Sequence, residues 1–335
     1  MTAGSLWLPV TGAAVAAAAA LAVLFHHARR LPQATPGPRS LHARPVPRVG
    51  GLSVWAGFAP VAFLHWPEVP GLPAVWLLAF AAVAAVSLVD DIRGVHPGAR
   101  IAVHVGAASA IAAAIGTGGA GQAGPTAILA AGSVALVIAW SANLYNFMDG
   151  NDGMAALMAV VGFAAYGFAA ERAGSDGGAY FALAAAVLPF LVVNLPPARM
   201  FMGDVGAVPL GFLAAASGIG GWRAGLWPDW FPVLVFLPFV ADATVTLAAR
   251  ALRRERLWEA HKFHYYQRLH QLGAGHSGTL GVFGVLIAGT AVSAATTLAL
   301  DPGSGWLVTV AWGGVLLALF SGIEYYWQRR IPKPP

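Results

Sequence analysis

The sequence predicts an all-α, polytopic integral membrane helix bundle of about eleven transmembrane helices. Of its 335 residues, 58% are hydrophobic and only 10% charged, whereas a soluble domain carries about 25% charged residues. The mean hydropathy is +0.68, and the apolar residues fall into runs near the roughly 20 residues that a helix needs to cross a bilayer. Three short acidic segments, Asp90-Asp91, Asn146 to Asp152 and Met202-Gly203-Asp204, interrupt this apolar background at the ends of such runs. Length alone would suggest two or three soluble domains. A bundle whose outside is covered by lipid escapes that rule, so residues 1–335 read as a single transmembrane domain. Cysteine is absent, which excludes disulfides and thiolate metal sites. The abundant Ala and Gly fit close helix packing in lipid.

Taken in order, the spans fall near 5–28, 50–66, 73–89, 101–117, 125–142, 154–170, 179–195, 205–221, 231–249, 278–299 and 305–327. The count drops to ten if 50–66 or 125–142 fails to cross. The first run resembles a signal peptide in position. It lacks a basic segment before the apolar stretch and is followed by Arg29 and Arg30, so an uncleaved first helix is expected. All but two of the 19 Lys and Arg residues fall on one side of this arrangement, the exceptions being Arg172 and Arg223. With eleven spans, the positive-inside rule then puts the N-terminus outside and the C-terminus in the cytoplasm. Trp66, Trp222, Trp227, Trp230 and Trp306 are expected at the outer interface. The stretches 29–49, 90–100, 143–153, 196–204 and 250–277 share the cytoplasmic face, and the acidic segments are all among them.

Asp90 and Asp91 close the third span. Adjacent carboxylates repel, and desolvation at a helix end raises that cost, so a divalent cation or a basic partner is expected beside them; a plain solvated helix end is the alternative. The run Asn143-Leu144-Tyr145-Asn146-Phe147-Met148-Asp149-Gly150-Asn151-Asp152-Gly153 closes the fifth span. Asn amides donate to and accept from a base or sugar, and Asp149 and Asp152 can accept from ring N–H groups or hold metal. An EF-hand is excluded, because the position four after Asp149 is Gly153. Between the seventh and eighth spans, Asn194 to Ala207 carries Asp204 at a helix start, where backbone N–H groups face anions; an ordinary N-cap is the alternative. After the basic run Arg250 to Arg256 comes His261-Lys262-Phe263-His264-Tyr265-Tyr266-Gln267-Arg268. His261 and His264 are spaced to share a helix face. No third ligand at recognisable spacing supports zinc, and pyrophosphate binding or attraction to anionic lipid suits the loop better. Asp242, inside the ninth span, is a functional candidate by its place in the membrane, or it bonds a neighbour inside the bundle.

With these motifs in this order, the sequence resembles the polyprenyl-phosphate N-acetylhexosamine-1-phosphate transferase superfamily, glycosyltransferase family 4, over nearly its whole length. The resemblance rests on the Asp90-Asp91 pair, the Asn-x-x-Asn-Phe-x-Asp-Gly-x-Asp-Gly run from Asn143, the Phe201-Met202-Gly203-Asp204 run, the His261 to Leu269 loop, and the early Pro47-Arg48-Val49-Gly50-Gly51. It implies an Mg²⁺-dependent phosphotransferase, with Mn²⁺ as the alternative metal. The enzyme would transfer an N-acetylhexosamine 1-phosphate from a UDP-sugar to undecaprenyl phosphate, releasing UMP. The consecutive histidines of the peptidoglycan branch are missing from the last loop, so the resemblance leans to the branch that initiates O-antigen and exopolysaccharide synthesis. A peptidoglycan-type phospho-N-acetylmuramoyl-pentapeptide transferase is the alternative. Asn151 stands where an aliphatic residue is usual.

By the same resemblance Asp90, Asp91 and Asp204 are the catalytic set, with Asp204 and Asp91 as metal ligands. Asn146, Asp149, Asp152, Asn194 and Phe201 form the nucleoside and sugar-phosphate set, and His261, His264 and Arg268 hold diphosphate oxygens; Arg44, Arg48 and Arg100 are further phosphate candidates. The expected partners are undecaprenyl phosphate, a UDP-N-acetylhexosamine and the lipid bilayer, with a homodimer left open and no nucleic acid. A proton-coupled transporter is the rival class. It would place its acids near mid-membrane, often in repeats with broken helices, whereas here only Asp242 is intramembrane.

Overall fold

A computed structural model describes residues 3–36, 41, 44–64, 68–116, 124–256 and 262–330, with side chains from Trp7 onward. The helices are α1 (Ala3–His26), α2 (Gly51–Leu64), α3 (Trp76–Arg93), α4 (Pro97–Gly116), α5 (Pro125–Met148), α6 (Met154–Arg172), α7 (Gly178–Asn194), α8 (Asp204–Arg223), α9 (Trp230–Val235), α10 (Leu237–Leu252), α11 (Tyr265–Leu269), α12 (Gly275–Leu300) and α13 (Gly305–Arg330). Two two-residue strands, β1 (Gln33–Ala34) and β2 (Val46–Pro47), pair antiparallel before α2. The protein is a polytopic helical bundle, and all eleven apolar runs are helical.

Among the described residues, seven helical stretches are long and apolar enough to cross a membrane. The other four runs explain the difference from eleven. α2 has 14 residues and α7 has 17, short of a bilayer core of about 30 Å at about 1.5 Å per residue. α3 spends its last turn on Asp90, Asp91 and Arg93. The ninth run is broken between α9 and α10 at Phe236 (φ −96°, ψ 10°). Pro238 sits just past the break, and a proline has no N–H to donate to the carbonyl four residues back.

α8 forms the centre. It packs against α3, α5 and α2, and most of its residues from Val205 to Gly221 are buried. Small residues allow the close approach: a Cβ on Gly51 would fall 2.3 Å from the Cα of Gly206. That contact carries the Pro-Arg-x-Gly-Gly segment onto the start of α8. The Phe201 amide donates to the Pro47 carbonyl at 2.8 Å, and the Gly50 and Gly51 amides donate to the carbonyls of Phe201 and Met202, both at 2.9 Å. At the far end an aromatic cluster closes the bundle, with Tyr166 stacked on Trp227 at 4.9 Å. Trp227 and Trp230 are therefore core residues, not the interfacial anchors expected from sequence. Trp222 and Trp306 are exposed, and Trp66 lies outside the described residues.

Candidate active site

The acidic segments meet at one end of the bundle, because α3 and α5 end there and α8 begins there. Gly203, at φ +73°, turns the chain into α8, and a Cβ on it would sit 2.7 Å from Asp91 Oδ2. Only glycine combines that backbone conformation with so close an approach. The turn lets the Val205 amide donate to Asp91 Oδ2 at 2.9 Å, while Arg48 Nε lies 3.7 Å from the other oxygen and Arg48 also donates to the Asp91 carbonyl at 2.5 Å. Asp204 accepts from Asn146 Nδ2 at 2.7 Å and from Arg100 at 3.1 Å. Asp90 does not line the cavity but sits against Asp204, within hydrogen-bond reach of its carboxyl; it pairs with the same Arg100 and accepts from the Val95 amide at 2.6 Å. Arg100 thus joins two of the three acids expected to be catalytic. It lies in the turn of α4 just after the acidic pair, and nothing in its spacing gave it this weight.

Asp91, Asp149, Asp152 and Asp204 line one cavity of about 270 Å³, together with Asn146 and Phe201. Enclosure pushes the Asp149 carboxyl well above the usual carboxylate range, and the charges on Asp204, Asp91 and Asp152 push it the same way. Arg48 is the one Lys or Arg among the described residues that lines the cavity. Among the described residues no three His, Asp or Glu side chains form a ready-made metal cage. Mg²⁺ does not require one. It favours one or two carboxylates completed by water and phosphate oxygens, and Asp204 with Asp91, set in an excess of negative charge, fits that donor set.

Other residues expected at the site hold it together. Asn194 lines the cavity, yet its Oδ1 accepts from the Gly153 amide and its Nδ2 donates to the Met200 carbonyl, both at 2.9 Å. Its amide thereby joins two loops. Asp152 accepts from the Ala198 amide at 2.9 Å and so joins the same loops. His264 is buried away from the cavity with Nδ1 3.2 Å from Asp242. Asp242 also accepts from the Tyr265 and Tyr266 amides at 3.0 and 2.9 Å. The intramembrane acid therefore caps α11, which accounts for it without a catalytic role. Arg268 is buried as well. It pairs with Glu324 and lies 5.2 and 5.6 Å from the ring centroids of Tyr265 and Trp327. Neither His264 nor Arg268 is brought to the cavity, and His261 lies outside the described residues. Gln267 and His276 line it instead; Gln267 lies within the His261 to Leu269 motif but was given no role, and His276 has no spacing that marks it in the sequence.

A direct consequence concerns Arg268→Gln. It is expected to lower the melting temperature by the equivalent of about 1–3 kcal/mol, since it strips one partner from a pair that is buried on one side only. Glu324→Gln should do the same, and the double variant should lose little more than either, as measured by thermal unfolding of the three proteins in one detergent.

A long apolar cavity of about 570 Å³ runs between α5, α8, α9 and α10. Its wall runs along α5 from Ser133 to Leu144 and reaches Trp222, Asp229 and Trp306. Fold and site together define a polytopic membrane protein with a carboxylate-rich pocket at one end and an apolar cavity within the bundle. Residues 73–221, which include all three acidic segments, match Glycosyl transferase family 4. The chain is similar to the decaprenyl-phosphate N-acetylglucosaminephosphotransferase of Mycobacterium tuberculosis (strain ATCC 25618 / H37Rv), 28% identical over 88% of this chain and 84% of that protein. It is similar also to the phospho-N-acetylmuramoyl-pentapeptide-transferase of Thermotoga neapolitana, 31% identical over 40% of this chain and 44% of that one. A third relative is the probable undecaprenyl-phosphate N-acetylglucosaminyl 1-phosphate transferase of Bacillus subtilis (strain 168), 30% identical over 40% of this chain and 38% of that protein. These comparisons support a likeness to the superfamily of polyprenyl-phosphate hexosamine-1-phosphate transferases, with glycosyl transferase family 4 matched over residues 73–221.

Proposed function

We propose that the protein transfers an N-acetylhexosamine 1-phosphate from a UDP-sugar to undecaprenyl phosphate at the cytoplasmic face of the inner membrane. The observation that carries this reading is the cavity lined by Asp91, Asp149, Asp152 and Asp204 with Arg48, which suits a cation held between two phosphate-bearing anions. An oxygen of the lipid phosphate attacks the β-phosphorus of the donor, the bond from that phosphorus to the bridging oxygen breaks, and UMP leaves with that oxygen. Both reactants are anions, so charge repulsion is the first barrier. Mg²⁺ held by Asp204 and Asp91 would neutralise charge on the diphosphate.

The rest of the work falls to the chain. Asn146 and Arg100 fix the Asp204 carboxylate between them, and Asp90 holds Arg100 in that bridge. A phosphate with a second pKa near 6 is mostly ionised at neutral pH, so positioning the nucleophile matters more than deprotonating it. Phe201 offers a ring for stacking on uracil, and Asp149 an acceptor for its N–H. The N-acetylglucosamine donor is preferred over the muramoyl-pentapeptide one, because the mycobacterial relative matches 88% of the chain and the Thermotoga one 40%. The product would feed an envelope glycan such as O-antigen or exopolysaccharide.

The test is release of UMP by detergent-purified protein given undecaprenyl phosphate and a panel of UDP-N-acetylhexosamines. UMP with a matching lipid-diphosphate sugar, abolished by EDTA and restored by Mg²⁺, is the expected result. Turnover of UDP-N-acetylmuramoyl-pentapeptide alone would move the chain to the peptidoglycan branch. No UMP from any donor, in folded protein, would sink the transferase reading.

A further inference from the structure

Among the described residues, those expected to grip the donor's diphosphate leave a gap. His264 and Arg268 are committed to Asp242 and Glu324, and the cavity's own Arg48 is held by Asp91. A diphosphate entering among four carboxylates needs further N–H donors. His276, in the first turn of α12, lines that cavity with its side chain one-fifth exposed. Its Nε2 is 3.3 Å from the carbonyl oxygen of Leu41. A carbonyl only accepts, so the proton sits on Nε2. On the other side of the ring, Nδ1 lies 3.3 Å from the amide nitrogen of Asp152 and 3.4 Å from its carboxylate. Asp152 is itself anchored by the Ala198 amide. The His270 ring packs edge-on at 4.4 Å. The imidazole is thus fixed from behind, and its one N–H is held only by a long bond.

We propose that His276 is a substrate-binding residue for the donor's diphosphate, its Nε2–H exchanging the Leu41 carbonyl for a phosphate oxygen. This rests on the reading of the cavity as a nucleotide-sugar site. The exchange is favourable because a hydrogen bond to an ionised oxygen is shorter and about twice as strong as one to a neutral carbonyl. It also gives the Asp152 backbone a defined part: its amide donates to Nδ1 and sets the orientation of the ring.

Calorimetric titration of the full chain in detergent, with UDP and with uridine as separate probes and no lipid, tests it. His276→Phe should weaken UDP binding by about 10-fold and leave uridine binding unchanged, because uridine carries no phosphate. His276→Gln, which keeps an N–H donor, should recover most of the loss. Equal weakening of UDP and uridine, or UDP affinity as in the wild type, would overturn the assignment. If His276→Phe fails to fold, His276→Asn takes its place, its donor being too short to reach. A wild-type protein that binds neither probe would overturn the nucleotide site along with His276, whereas wild-type binding that His276→Phe leaves intact removes His276 alone.

Discussion

Asp204→Asn is expected to lower Mg²⁺-dependent UMP release by about 100-fold or more while the protein stays folded. The size follows from what one preorganised electrostatic group at a reacting centre is worth, about 10²–10³ in rate. The direction follows from the site. Asp204 stands at the start of α8, held by Asn146 at 2.7 Å and Arg100 at 3.1 Å, and is only partly exposed. The substitution is nearly isosteric. It replaces a charged acceptor by an amide whose N–H₂ must face either the Asn146 amide or the Arg100 guanidinium, both donors. Steady-state rates over a Mg²⁺ series, with size-exclusion behaviour as the control for folding, measure it. A variant that keeps the wild-type rate and metal dependence would remove Asp204 from the metal site.

The second large effect lies outside the cavity. Asp242→Ala should strip the acceptor from the Tyr265 and Tyr266 amides and from His264 in one step. Each buried N–H left without a partner costs about 1–3 kcal/mol. That loss falls on a five-residue helix, so α11 and the turn leading to His276 are expected to loosen while the long helices hold. Hydrogen exchange resolved along the chain should show faster exchange over 264–276 and little change in α5 or α8, together with weaker UDP binding. Asp242→Asn should be nearly as damaging, since its amide nitrogen would confront backbone donors. A wild-type exchange pattern in Asp242→Ala would mean that the cap does not hold the loop.

These two acids show how far sequence reading reaches. Both stood out as carboxylates in an apolar chain, one at a helix start and one within a span. Position alone could not separate a residue that faces a cavity from one that caps a helix. The difference lies in which backbone amides come within 3 Å, and Tyr265 and Tyr266 reach Asp242 from more than twenty residues along the chain. Asn194 lines the cavity as expected, but its bonds to Gly153 and Met200, which join two loops, could not be read from its position. His264 and Arg268 looked like phosphate ligands because they are polar residues in a basic loop, yet the fold turns them towards Asp242 and Glu324. His276 had no spacing to mark it and reaches the cavity only because α12 begins beside the 149–153 loop.

By itself, the sequence determined the helical membrane bundle, the eleven apolar runs and the gathering of the acidic segments at one end. Those features follow from hydropathy and chain direction, which are local: a run of apolar residues must bury its backbone polar groups as a helix in lipid whatever its neighbours do. Tertiary structure alone decided which side chains share the cavity, that Arg100 bridges Asp90 and Asp204, and that the ninth run is broken at Phe236. A side chain's role is set by the groups within hydrogen-bonding reach of it, and in a bundle those groups come from helices far apart in the chain.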